Sequence, residues 1–264
     1  MHWSKSQVLQ TQVAVKVPMH GLAVQVTMQN IAGKTALITG GSKGIGYGIA
    51  ESLLKEGMNV AITGRHTETV EAAAEELSQF GKVLAITADV RDFESQKSAV
   101  AKTLEAFGSL DVMVANAGVG HFANIAELTP EHWHETIDTN LTGVFYSVKA
   151  SLDALTATKG YLITVASLAG TNFFESASAY NASKFGLVGF TQAVMLDVRS
   201  RGIKVTTIMP GSVATHFNNH TPNEADAWKI QPEDLGQMTV DLLKMNPRTL
   251  PSKIEVRPAQ VAKK

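Results

Sequence analysis

The sequence predicts an α/β fold: one domain built on a doubly wound parallel sheet of about seven strands, with helices on both faces. Three observations predict it. From residue 33 onward, short segments rich in Val, Ile, Ala and Thr alternate with longer amphipathic ones, the order that builds βαβ units. Charged residues make up 18% of the chain against 44% hydrophobic, with 21 glycines, and so few charges suit strands buried on both faces. The length of 264 residues fits one α/β domain and buries a large core without staples.

The elements follow in order. Lys34–Thr39 (KTALIT) is a short apolar strand. Glycines end it, and an amphipathic helix is expected at Ile45–Glu56. Asn59–Thr63 is the second strand, and Glu68–Phe80, containing EAAAEEL, is a helix of strong helix formers. Lys82–Thr87 is the third strand and Phe93–Phe107 the third helix. Leu110–Ala115 is the fourth strand. Pro130–Thr156 reads as one long helix, with Pro130 just inside its start after Thr129. Gly160–Ala166 is the fifth strand, Ala179–Ser200 a helix, and Ile203–Met209 the sixth strand. Pro232–Met245 is helical and Ser252–Val256 is the last strand. Right-handed crossovers then place helices on both faces.

Residues 1–32 read differently. The first acidic residue is Glu51, and only Lys5 and Lys16 carry charge before residue 33. Gln, Thr, Lys and Pro break every apolar run, so the stretch has no secretory h-region. It is expected to be a poorly ordered extension, dispensable up to about Met28. Residues 33–258 form the expected catalytic domain and 259–264 a solvated tail. The chain has no cysteine, which excludes a disulfide scaffold, a thiolate metal site and a cysteine nucleophile. Net charge is −1, which gives no basic footprint for nucleic acid. No apolar run approaches the ~18 residues that span a membrane. A cytoplasmic protein is expected.

Thr39-Gly40-Gly41-Ser42-Lys43-Gly44-Ile45-Gly46 follows the first strand and opens the first helix. Glycines allow the tight turn and the close backbone approach that let helix amides face a pyrophosphate. Between a strand and a helix of a βαβ unit, this marks a Rossmann-type dinucleotide site. No Lys-Ser/Thr pair follows the last glycine, so the turn is not a P-loop. Gly40-Gly41-Ser42-Lys43-Gly44 also fits a hydrolase nucleophile elbow, with His216 or His220 as base. That elbow normally follows several strands, and it leaves Gly46 unexplained.

Further motifs follow in order: Asp89-Val90 after the third strand, Ala115-Asn116-Ala117-Gly118 after the fourth, Asn140 in Thr139-Asn140-Leu141, Ser167 after the fifth, Tyr180-x-x-x-Lys184, and Pro210-Gly211 through Thr215. With the glycine turn, this series resembles the short-chain dehydrogenase/reductase family over roughly residues 33–256. The overall look is closest to 3-oxoacyl-acyl-carrier-protein reductases. Ala115 departs from the family's Asn there. The resemblance implies catalytic roles for Asn140, Ser167, Tyr180 and Lys184. It implies that Tyr180 passes a proton to a carbonyl oxygen that Ser167 positions, and that Lys184 holds the nicotinamide ribose and polarises Tyr180. Asn140 would hold a water linking Lys184 to solvent. Cofactor contacts are expected at Gly40, Ser42, Lys43, Gly44, Ile45, Gly46, Arg65, Asp89, Val90, Asn116, Ala117, Gly118, Tyr180, Lys184, Pro210, Gly211, Val213 and Thr215. The family also implies a homo-oligomer, a dimer or tetramer.

The residues themselves agree with that chemistry. Tyr and Lys four apart on a helix share a face. A nearby ammonium favours phenolate and lowers a phenol's pKa from about 10, which makes Tyr180 a usable acid or base. For the dinucleotide, an NAD site wants an acid at the end of the second strand. Here that strand ends Thr63-Gly64-Arg65-His66, with no Asp or Glu from Gly57 to Thr67 and Lys43 in the glycine loop. Two cations and no anion predict NADP(H). His132 and His134 are two apart, and His216 and His220 lack a ligand set, so these read as surface or loop residues without a metal. The substrate, a small carbonyl compound or its alcohol, is expected under a short segment, roughly Ser212–Ile230. His216, Phe217, Trp228, Phe173 and Phe174 are the candidate lining residues. A module that keeps the fold but lacks catalysis is the competing reading; it would usually have lost one of the four catalytic residues.

Overall fold

A computed structural model describes residues 28–261, together with the two-residue strands Pro18–Met19 and Leu22–Ala23, which pair antiparallel. The rest of the expected extension, and the end of the expected tail, lie outside the described residues.

One sheet of seven parallel strands forms the body: β1 (Thr35–Thr39), β2 (Asn59–Gly64), β3 (Val83–Thr87), β4 (Val112–Ala115), β5 (Tyr161–Val165), β6 (Lys204–Pro210) and β7 (Lys253–Val256). Their spatial order is β3-β2-β1-β4-β5-β6-β7. The chain winds one way from β1 to β3 and the other way from β4 to β7. The switch between β1 and β4 opens a crevice at the carboxyl ends of the strands, where open α/β sheets bind ligands.

The sheet divides the core in two because side chains alternate along each strand. Ala36 and Ile38 of β1 face one side, packing with Ile49, Leu53, Val70, Leu77 and Leu235. Leu37 faces the other, with Val100, Val144, Val148 and Leu187. The helices are α1 (Gly44–Lys55), α2 (Thr67–Leu77), α3 (Phe93–Phe107), α4 (Pro130–Ile137), α5 (Gly143–Thr158), α6 (Ser178–Val198) and α7 (Pro232–Lys244). The first cluster lies under α1, α2 and α7, and the second under α3, α5 and α6. Helices α1 and α7 cross closely, since a Cβ on Gly48 would sit 2.6 Å from the backbone of Pro232.

Three expectations shift. The long helix at 130–156 is interrupted: Asp138–Thr142 forms a π-helical turn between α4 and α5, a feature that helical periodicity does not reveal. The fourth strand begins at Val112; Asp111 still bonds at its edge, its N–H donating to Thr35 C=O and its carboxylate accepting the Thr35 N–H, each at 2.9 Å. The packed body starts before residue 33: Ile31 is buried in the core, and Gln29 N–H donates to Lys244 C=O at 3.0 Å. Among the described residues no helix is long and apolar enough to cross a membrane.

Candidate active site

Strand β1 ends at Thr39, and the chain reverses through Gly40, whose φ is 65°, and Gly44, whose φ is 58°. Both are left-handed values that favour glycine. A Cβ on Gly46 would overlap the Gly40 carbonyl and lie 2.6 Å from Asn116 Nδ2. Gly46 therefore supports the turn from beneath. Asn116 ties the turn to β4 by donating to the Thr39 and Gly40 carbonyls at 2.9 and 3.0 Å. Thr39 Oγ1 accepts the Asn116 and Ala117 N–H groups at 3.0 and 3.1 Å.

Helix α1 starts here without help. Lys43 stands at its N-cap, supplies no side-chain cap, and no acid lies in the first turn. The free amides and the positive end of the helix dipole thus face the cleft without a counter-charge. An N-cap normally carries Ser, Thr, Asp or Asn, so the departure suits an anionic ligand. Thr63 and Thr139 also line the cleft, and their hydroxyls are buried without a hydrogen-bond partner. These observations fit a pyrophosphate-bearing dinucleotide.

The cleft holds about 1220 Å³ and runs from the glycine turn past Arg65, Asp89 and Val90 to Ser167, Tyr180 and Lys184. All the expected catalytic and cofactor residues line it except Gly46 and Asn140. Gly46 lies behind the turn. Asn140, fully buried in the π turn, is clamped. Its Nδ2 donates to Val119 C=O at 2.8 Å and Ser183 Oγ at 3.0 Å, and its Oδ1 accepts Val119 N–H at 2.8 Å. Both amide hydrogens are committed within the protein, which fixes the orientation of the side chain. It braces the loop after β4 against α6.

Ser167 sits just past β5. Its Oγ accepts the Ala169 N–H at 3.1 Å and makes only a long 3.5 Å contact to Pro210 C=O, which leaves its hydrogen available to a ligand. Asn181 fixes Ser167 relative to Tyr180: from α6 it donates to Ala169 C=O and Asn172 C=O, each at 2.7 Å. Lys184 is buried one turn after Tyr180, with Nζ 5.7 Å from the Tyr180 ring centre and donating to Val165 C=O at 3.2 Å.

The electrostatics differ from the expectation. Burial pushes the Tyr180 phenol up, with the nearby Ser167 hydroxyl opposing. Burial pushes Lys184 down to about 8. Desolvation dominates at both groups, so the phenol is raised rather than lowered.

Phe217 and Phe174 line the cleft as expected, whereas Phe122, His121 and Glu135 were not found from sequence. Phe122 and Phe217 flank the Tyr180 ring at 5.3 and 5.6 Å, and Phe174 lies 6.1 Å from Phe122. His121 bonds Glu135 at 2.8 Å and stacks on His132 at 4.2 Å. Glu135, from α4, lies 3.6 Å from Arg65. The expectation of cations with no anion is thus corrected, because a carboxylate arrives from an element distant in sequence. Asp89 is bound by Arg91 at 2.6 Å, which holds its carboxyl below the usual range. His220 is engaged by Asp226 at 2.5 Å, and Lys229 by the same carboxylate at 2.6 Å. Among the described residues no cluster of three His, Cys, Asp or Glu is placed to hold a metal.

The family model for short chain dehydrogenases matches residues 34–226. The chain belongs to the short-chain dehydrogenase family. An uncharacterized oxidoreductase of Staphylococcus saprophyticus is 31% identical to this dehydrogenase over 88% of the chain and 100% of its own length. A glycine betaine reductase of Emericella nidulans is 33% identical over 80% of the chain, which spans only 17% of that longer protein. An alcohol dehydrogenase from the archaeon Thermococcus sibiricus, complexed with 5-hydroxy-NADP, superposes with a TM-score of 0.81 at 30% identity, covering 88% of this chain and 99% of its own. The chain is therefore an oxidoreductase of this family. Nothing in these relatives favours the hydrolase reading, and among the described residues Ser42 has no histidine hydrogen-bond partner.

Proposed function

We propose that this dehydrogenase uses NADP(H) to interconvert a carbonyl compound and a secondary alcohol, with Tyr180 as the proton-transfer residue. The observation that carries this reading is the convergence of Ser167, Tyr180 and Lys184 in the same cleft as the uncapped start of α1. When bound, a nicotinamide dinucleotide supplies or accepts the hydride. The α1 amides and Lys43 would hold its pyrophosphate, and Arg65 its 2′-phosphate. The Thermococcus neighbour, which is complexed with an NADP derivative, supports that cofactor.

In the reductive direction Ser167 donates its hydrogen to the carbonyl oxygen and fixes its position. The Tyr180 phenol transfers its proton to the same oxygen, leaving a phenolate. A raised phenol is fully protonated at neutral pH and ready for that step. Lys184 stabilises the phenolate as it forms and contacts the nicotinamide ribose. The complete set of these side chains speaks against a catalytically silent module.

The finer reading of the substrate is a 3-oxoacyl thioester, which rests on overall resemblance. Phe122 and Phe217 beside the Tyr180 ring suit a carbonyl that carries an apolar group on that side. The test follows NADPH oxidation with a panel of ketones and 3-oxoacyl thioesters. Turnover is expected with at least one apolar-flanked ketone, and it should vanish in Tyr180→Phe while NADPH binding stays within about twofold. Wild-type turnover in that variant overturns the assignment.

A further inference from the structure

No acid stands between Gly57 and Thr67, yet a carboxylate reaches the end of β2 from α4. Glu135 Oε1 lies 3.6 Å from Arg65 Nη1, and its Oε2 lies 2.8 Å from His121 Nε2. The His121 ring lies flat against that of His132, with 4.2 Å between centres and 8° between planes, so the imidazole that anchors the carboxylate is itself held in place. Arg65 and Glu135 keep side-chain exposures of 44% and 32%. A pair this long and this open to water is exchangeable. All three residues line the cleft. The His121 bond, with Arg65 and Arg91 nearby, holds the Glu135 carboxyl below its usual range, so it is ionised at neutral pH.

This arrangement places one guanidinium between two claimants. A 2′-phosphate arriving at Arg65 meets a second anion a few ångströms away, and the two repel. A neutral 2′-hydroxyl meets a carboxylate that accepts its hydrogen.

We propose that Glu135 is a cofactor-specificity residue that supplies, from α4, the anion missing from the second strand. It loosens the grip on a 2′-phosphate and offers a partner to a 2′-hydroxyl, so the enzyme separates NADPH from NADH only weakly. This inference rests on the reading that a nicotinamide dinucleotide binds with its adenosine ribose at Arg65.

The test is equilibrium binding without substrate, by calorimetry, of NADPH, NADH, adenosine 2′,5′-bisphosphate and 5′-AMP. Glu135→Gln removes the charge but keeps the length and an acceptor for His121. It should tighten NADPH and the bisphosphate about three- to tenfold, and leave NADH and 5′-AMP unchanged or up to about threefold weaker. Glu135→Asp, which withdraws the charge by one methylene, should move the same ratio in the same direction by less, and it serves if the Gln variant folds poorly. If wild type binds both dinucleotides and neither variant changes their ratio, the inference is overturned while the proposed function stands. If wild type binds neither dinucleotide, both fall.

Discussion

Lys184 carries two opposed demands. The site needs an ammonium beside Tyr180, and the fold buries that ammonium against Val165. A move from 10.5 to about 8 corresponds to roughly 3 kcal/mol of penalty for the charged form in the cofactor-free fold. The folded value is below the unfolded one, so the whole penalty is present below pH 8 and fades as the pH rises toward 10.5. Lys184→Met should therefore raise the melting temperature at pH 7, by an amount equivalent to about 1–3 kcal/mol, and abolish turnover. The stability gap should narrow between pH 8 and 10. Paired thermal melts across that range check the sign, and a Met variant less stable at pH 7 contradicts it. Asn140 behaves in the opposite way. Asn140→Ala strands the half-buried Val119 N–H and C=O, and should cost about 1–3 kcal/mol in denaturant unfolding as well as activity. The identities of these residues were legible in sequence because spacing and order exposed them. Their charge states were not, because desolvation depends on what the rest of the chain packs around them.

At the scale of elements, the strands and most helices were legible from apolar runs and from their glycine and proline punctuation. The π turn was not. Asp138–Thr142 carries ordinary helix-compatible residues, and what selects the wider turn is tertiary: Asn140 must reach Val119, and Gly143 must approach Val90, where a Cβ would sit 2.8 Å from Cγ2. Glu135 escaped for a similar reason, since its partner Arg65 lies far back in the chain and belongs to another element. The crossing of α1 and α7 gives a direct test. Gly48→Ala gains helix propensity of at most ~1 kcal/mol, but its methyl meets Pro232 backbone that cannot rotate away. The net effect should be a loss of about 1–3 kcal/mol, read by chemical unfolding. NADPH affinity should fall with it, because Gly48 lies just past the glycine turn that opens α1.

For the whole molecule, the strand order decides where chemistry happens. Reversal of winding between β1 and β4 leaves their carboxyl ends diverging, and the Asn116 bonds to Thr39 and Gly40 hold that divergence at a fixed width. Asn116→Ala removes the side-chain amide that ties the two ends together through two donated bonds. It should weaken NADPH and NADH binding by similar factors, roughly three- to thirtyfold, without changing the preference between them. A selective loss of one cofactor would place Asn116 in recognition of the 2′ position instead.

Phe217 covers more than a wall of the substrate space. Its ring packs near both Phe122 and Tyr180, and a Cβ on Gly120 would lie 2.5 Å from it, so it covers one side of the phenol. Only 9% of the Tyr180 surface is exposed. A bulky ketone is expected to turn this ring aside as it enters, and its alcohol to turn it again on leaving. For bulky substrates, release past this ring rather than bond making is then the step expected to set the pace. Their kcat should fall as added glycerol or sucrose thickens the solvent, whereas a small ketone should be nearly indifferent. Phe217→Ala should erase that viscosity dependence and let unintended ketones in.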